Sequence, residues 1–296
     1  ASTATISLGN VTFASGRATK TVSATAFSSV GPNYRAFKDV RVHFTCTLAN
    51  CGQDMNVCST DNFAVRPQVL TVGVTKSDGV SALNNASFST GTPSLMAGKD
   101  FLITATGVAG YNGAPTIKRT VAAQTVASHL STTDYVGNLR DASGADPISL
   151  GSATVTTGRA TGTVQYHDYG QFQLKAGAVR DSVFAAADGA NGDCVVGSSS
   201  NSASAGKYGC DVANQADTSL FGRFYPSYFT ASGTLTPACV GGNSSYFGQP
   251  FVLTYSVSAK SFPNPQLADS VTMTRYNANV VSVGLYDGTG ATDLAG

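Results

Sequence analysis

Three histidines, His43, His129 and His167, mark where acid–base or nucleophilic chemistry would have to start in this chain of 296 residues. His167 stands in Gln165-Tyr166-His167-Asp168, an imidazole next to an acid. A Ser-His-Asp relay needs its serine on an exposed, strained turn within reach of the ring, and no Gly-x-Ser-x-Gly elbow occurs. Neighbours on a strand point to opposite faces, so adjacency does not make His167 and Asp168 a dyad. The expectation is a solvated strand histidine. His43 falls on the polar side of the Val40, Val42, Phe44 alternation.

Carboxylate pairs could hydrolyse glycosides, but the 17 acids lie mostly in turn-forming stretches such as Asp141 to Asp146. Asp188, Asn191 and Asp193 offer three oxygen ligands in a Gly-rich loop, without the alternating acids and distal Glu of a helix–loop–helix calcium site. Gly288-Thr289-Gly290 lacks the third glycine and following helix of a phosphate loop. The sequence therefore predicts no catalytic residue, no metal and no cofactor: not an enzyme.

Six cysteines remain, in two groups: Cys46, Cys51 and Cys58, then Cys194, Cys210 and Cys239. There is no Cys-x-x-Cys pair for zinc, and both groups lie among Gly, Asn, Asp and Ser. An even count in loops points to disulfides and an oxidising compartment. Cys194 and Cys210 flank a Ser-rich loop whose closure stabilises by about 3 kcal/mol in the chain-entropy view. Cys46 and Cys58 occupy the corresponding place in the first group and are the next expected pair. Cys51 and Cys239 are left to bridge across units or to pair elsewhere.

What must position these groups is legible from composition. Charged residues make up 12% of the chain, about half the usual share, and there are 32 Gly and no Trp. The net charge of +1 is spread without a basic stripe, which argues against nucleic acid as a partner. No apolar run is long enough for a membrane helix. The chain opens on Ala1 without Met or a signal peptide, and reads as a mature or excised piece of something longer.

An internal repeat organises the rest. Residues 6–22 read ISLGNVTFASGRATKTV and residues 148–164 read ISLGSATVTTGRATGTV, 142 positions apart (148 against 6) without a gap. Weaker echoes join Phe101 to Phe251, 150 apart, and Pro67 to Pro226, 159 apart. Such long periods mean duplicated domains rather than a solenoid. Phe251, Leu253, Tyr255 and Val257 alternate at period two, as do Phe101, Ile103 and Ala105, and Phe172, Leu174 and Ala176. Turns at Ser15-Gly16, Asn112-Gly113, Asp188-Gly189 and Asp287-Gly288 punctuate the strands. Residues 121–130 fit a strand, a loop or a short helix. The fold expected is all-β: tandem immunoglobulin-like β-sandwich units with antiparallel sheets. The motif order gives a closing half-unit over 1–60, a complete unit over 61–190, a disulfide-closed loop or linker over 191–220, and an opening half-unit over 221–296.

The block Cys58-Ser59-Thr60-Asp61-Asn62-Phe63-Ala64-Val65-Arg66-Pro67 and the block Gly222-Arg223-Phe224-Tyr225-Pro226-Ser227-Tyr228-Phe229 resemble the β-rich region of the MshQ-like family of MSHA-pilus biogenesis proteins. Tyr246-Phe247-Gly248-Gln249-Pro250-Phe251 and Tyr169-Gly170-Gln171-Phe172 are similar to that family's strands, and the resemblance covers about residues 40 to 255. It implies a secreted Gram-negative protein at the cell surface, associated with type IV pilus machinery. Its partners would be other domains of the same protein, pilus components or further copies of itself. The function expected is an extracellular structural or adhesive module. Two alternatives stand beside it. One is a self-assembling filament completed by strand exchange, since half-units expose sheet edges. The other is a carbohydrate-binding module using Tyr225, Tyr228 and Tyr246.

Overall fold

Period-two alternation decides where the chain is buried. The computed structural model describes residues 6–22, 34–83, 94–117, 139–141, 143–144, 147–239, 241–242, 244–263, 272–274 and 276; residues 121–130, His129 and Asp287-Gly288 lie outside these. In chain order come β1 (Phe37–Val40), β2 (His43–Cys46), helix α1 (Leu48–Cys51), β3 (Met55–Cys58), β4 (Phe63–Val65), β5 (Thr71–Lys76), β6 (Leu95–Met96) and β7 (Asp100–Thr106). Then follow β8 (Thr116–Ile117), β9 (Leu139–Arg140), β10 (Ile148–Ser149), β11 (Arg159–Tyr166), β12 (Gly170–Phe172), β13 (Val179–Asp181) and helix α2 (Ala185–Asp188). The last are β14 (Val212–Ala213), β15 (Phe221–Tyr225), β16 (Tyr228–Thr236) and β17 (Val252–Lys260). The protein is all-β, and its sheets are antiparallel apart from the pairing of β15 with β6.

The central sheet has the order β5-β7-β11-β9. Its inward residues are those the alternation selects: Phe101, Ile103 and Ala105 on β7, and Ala160, Val164 and Tyr166 on β11, none more than 1% exposed. They face a second layer, β12-β15-β6, through an aromatic seam. Phe101 lies 5.4 Å from Phe224, and Tyr166 lies 5.1 Å from Phe172 and 4.9 Å from Phe224, in the tilted geometries that aromatic quadrupoles favour. A third small sheet, β10-β8-β13-β14, closes the flank with Ile117, Ile148, Val179 and Val212, all fully buried.

The sheets cross the borders that the motif order suggested. β1 of the expected first half-unit pairs with β4, and the Arg35 amide donates to the Ala109 carbonyl. β14, inside the expected linker, pairs with β13, and β15, expected to open a further unit, pairs with β12. One buried cluster runs from Ala36 to Met273. The physical reason is that a sandwich draws its two layers from strands far apart in sequence, which a linear motif order does not reveal. Two strand readings are also corrected. Val40 and Phe44 fall on different strands, and in the 172–176 stretch the strand ends at Phe172, leaving Leu174 buried and Ala176 exposed.

Candidate functional site

His167 is not solvated. It sits just past β11, where residue 261 returns beneath it, and His167, Asp168 and Ser261 are all fully buried. The Gln165 amide nitrogen donates to Asp100 Oδ1 at 2.7 Å, which turns Gln165 Oε1 toward the imidazole 3.1 Å away. That oxygen can only accept, so Nε2 carries the ring proton and Nδ1, 3.0 Å from Ser261 Oγ, accepts from the hydroxyl. Asp168 accepts the Tyr169 amide at 2.8 Å. A hydrolytic relay sets an acid on one ring nitrogen and an activated serine on the other. Here an amide and a buried serine occupy the two, and the network joins β7, β11 and the end of β17. Burial, with the nearby Arg140 charge, pushes the His167 pKa down to about 4, so the ring is neutral at physiological pH.

A second buried polar pair serves the opposite flank. Tyr111, fully buried, donates to Asp181 Oδ2 at 2.6 Å. Desolvation and the neighbouring carboxylate raise its phenol far above the ordinary value, so it remains a proton donor within the core.

The disulfide loop borders a cleft of about 500 Å³ whose walls include Phe63, Arg66, Asp188, Asp193 and Tyr208. Cys194 and Cys210 are bonded, with Cα atoms 5.1 Å apart, inside the normal range for a disulfide. Arg66 fastens the loop: Nε donates to the Gly209 carbonyl at 2.8 Å, and Nη2 donates to the Ser200 carbonyl at 3.0 Å and to Asn201 Oδ1 at 2.9 Å. Its partners lie more than 130 residues away, a link no local pattern could have revealed. Asp188 accepts the Ala64 amide on both oxygens at 3.2 Å, and burial, then the charges of Asp193 and Asp61, raise its pKa. The stretch 188–193 is thus a turn hung on β4. Among the described residues no group of three or more His, Cys, Asp or Glu side chains converges as a metal site.

The other cysteines correct the expected pairing. Cys46 bonds Cys51 with a Cα separation of 6.0 Å, while Cys58 is an exposed free thiol and Cys239 a half-buried one. In the β2–β3 hairpin Cys46 lies opposite Met55 and Cys58 opposite His43, so Cys46 and Cys58 sit at opposite ends of the ladder. The turn of α1 instead brings Cys51 back to Cys46. Cys51 is thereby unavailable to Cys239.

The most unusual surface is the β16–β17 hairpin. Its register puts Phe229, Ala231, Leu235, Leu253, Tyr255, Val257 and Ala259 on one face and Thr230, Ser232, Thr234, Thr254, Ser256 and Ser258 on the other. Among the described residues the apolar face is covered at its base. Ala259 is buried, and Phe229 meets the Tyr276 ring at 5.4 Å. Farther out Leu235 is 58% exposed, Tyr255 55% and Leu253 37%. Of the tyrosines singled out in the sequence, Tyr225 is half-buried beside β6, whereas Tyr228 and Tyr246 are exposed. No helix among the described residues is long and apolar enough to cross a membrane.

Comparison with known proteins reaches only part of this chain. No curated protein and no solved structure matches it. Over residues 196–285, which hold most of the disulfide loop and strands β14 to β17, the chain is similar to the family described as DUF6701, third domain.

Proposed function

We propose that this chain is a non-enzymatic, extracellular module of a bacterial surface protein, of the MshQ-like type associated with type IV pili, which spaces or presents neighbouring modules. The observation that carries it is the doubled ISLG–GRAT signature. A complete sandwich holding residues 148–164 is flanked by a second copy of that signature at 6–22 and by a second β5–β7-like hairpin at β16–β17. That is the pattern of modules in series, each extended by the next. Two disulfides suit an oxidising exterior, and the Arg66-clamped loop adds stiffness where the cleft opens. Protease added to intact cells that make the chain should remove it, and non-reducing peptide maps should recover Cys194 joined to Cys210. A chain found only in the cytoplasm with reduced thiols would end this reading.

A glycan-binding role is the second reading, resting on Tyr246 at 71% and Tyr228 at 38% exposure. A glycan array with a hit that Tyr246→Ala and Tyr228→Ala abolish would establish it, and an empty array would retire it.

A further inference from the structure

The walls of the cleft beside the Cys194–Cys210 loop are chemically one-sided. The cleft holds about 500 Å³ between β4, the end of α2 and the loop, a volume in the range of small-molecule sites. Its apolar surface comes from aromatic rings: Phe184, which is buried, and Phe63 and Tyr208, which are 40% and 54% exposed.

The half-buried donors on these walls are already engaged. Arg66 gives its N–H groups to the carbonyls of Gly209, Pro67 and Ser200 and to Asn201 Oδ1, so its charge is taken up on the loop side. The Asn201 amide nitrogen donates to the Gln68 carbonyl at 2.8 Å. Acceptors are left over. Asp188 shares one amide proton, that of Ala64, between its two oxygens, whereas a carboxylate has about four acceptor positions. Asp193 is exposed, and its own amide donates to the Asp188 carbonyl at 2.9 Å, which keeps the two acids side by side. The ion pairs among the described residues use Asp39, Asp217 and Asp211, and neither cleft acid. The Lys207 ammonium, 3.8 Å from where a Cβ on Gly192 would lie, pairs with neither of them.

The walls are also fixed in advance. Asp193 precedes Cys194 and Tyr208 stands two residues before Cys210, so the disulfide ties the acid to the aromatic ring. The Val195 amide donates to the Tyr208 carbonyl at 2.8 Å and closes the same junction. A site whose walls need no ordering loses less of its binding free energy on capture.

Paired carboxylates refuse an anion, and a neutral polyol would fill the acceptors while leaving their charge unmet. A cation on an aliphatic stem meets every wall at once. Its N–H groups make charge-assisted bonds to the carboxylates, and its charge and stem lie against the aromatic faces. We propose that this cleft binds an organic cation of the alkylammonium or alkylguanidinium class, with Asp188 and Asp193 as its charge partners and Phe63 and Tyr208 as its walls. Such a cation comes from the basic side chain of a polypeptide or from a free amine, and both present the same chemistry.

The test uses the full, isotope-labelled chain with its disulfides intact, titrated with agmatine, cadaverine and the tripeptide Gly-Arg-Gly and followed by amide chemical shifts. Saturable shifts are expected at Phe63, Asp193 and Tyr208. Asp193→Asn, at an exposed position whose side chain makes no hydrogen bond among the described residues, should weaken binding about tenfold. Asp188→Asn keeps an acceptor for the Ala64 amide and should do the same, and Tyr208→Ala should weaken binding about threefold. Tighter binding of the tripeptide than of agmatine assigns the cation to a polypeptide side chain, and the reverse order assigns it to a free amine; either supports the site. Absence of saturable shifts at these residues, shifts that Asp193→Asn leaves unchanged, or equal shifts from neutral glucose overturn the proposal. Protease sensitivity on intact cells is read separately, so loss of this site leaves the surface module standing.

Discussion

Residues 148–164 and 6–22 spell nearly the same strand-turn-strand, yet one is core and the other surface. In the first, Ile148, Leu150 and Val164 are fully buried and β11 pairs with β7 at seven positions. In the second, the turn is the part that is paired among the described residues. β7 and β17 differ in the same way: Phe101 is fully buried where Phe251 is 44% exposed. Alternation determines which side chains share a face, because the strand period is two. Burial of that face needs a second layer, and in the centre Phe172, Phe221 and Phe224 provide it.

The contrast is sharpest in its largest expected effect. Phe101→Ala empties the aromatic seam and should cost about 3–5 kcal/mol, whereas Phe251→Ala should cost under about 1 kcal/mol in the dilute chain. Urea unfolding followed by far-UV circular dichroism compares the two, and equal losses would break the contrast. Next come the disulfides. Replacing Cys194 and Cys210 by Ser reopens a 16-residue separation whose loop is fastened to the core, with an expected loss of about 3 kcal/mol. Replacing Cys46 and Cys51 frees a separation of only 5 in an exposed hairpin, and global stability should move by less than about 1 kcal/mol. Thermal melts of the two double variants give the comparison.

What the sequence revealed and what it hid divide along the range of the interactions. The faces of β7 and β17 were readable because period two is local, and so was the Cys194–Cys210 closure, whose ends flank one Ser-rich loop. Unit borders were not, since β15 pairs with β12 and β6 across long separations that loop lengths do not encode. Cys46–Cys51 was hidden by the single turn of α1, four residues without a periodic signature. His167 looked solvated because a lone imidazole after a strand carries no mark of Ser261, 94 residues away, folding over it.

That buried imidazole gives the sandwich–hairpin joint a pH dependence. With a folded pKa of about 4 against an ordinary 6.5, the unfolded chain binds a proton that the folded chain refuses. Stability from this group is present above pH 6.5, falls as pH drops toward 4, and by then up to about 3 kcal/mol is lost. His167→Gln should flatten that interval in urea titrations at a series of pH values. An unchanged slope would mean that the ring takes up its proton without disturbing the link to Ser261.

The smallest effect probes the one departure between the two signature copies that packing can explain. A Cβ on Gly162 would meet Leu150 Cδ2 at 2.8 Å and the Ser149 carbonyl at 2.9 Å, so β10 can lie over β11 only because no side chain intervenes. Lys20 stands at the matching place in the arm and is exposed. Gly162→Lys should therefore destabilise by about 1–3 kcal/mol through overpacking, while Lys20→Gly should change the dilute chain by no more than about 0.5 kcal/mol. The pair of variants separates sequence from surroundings, because each carries the other copy's residue into its own setting. If Gly162→Lys were tolerated, the tight return of β10 over β11 would not be what distinguishes the buried copy from the exposed one.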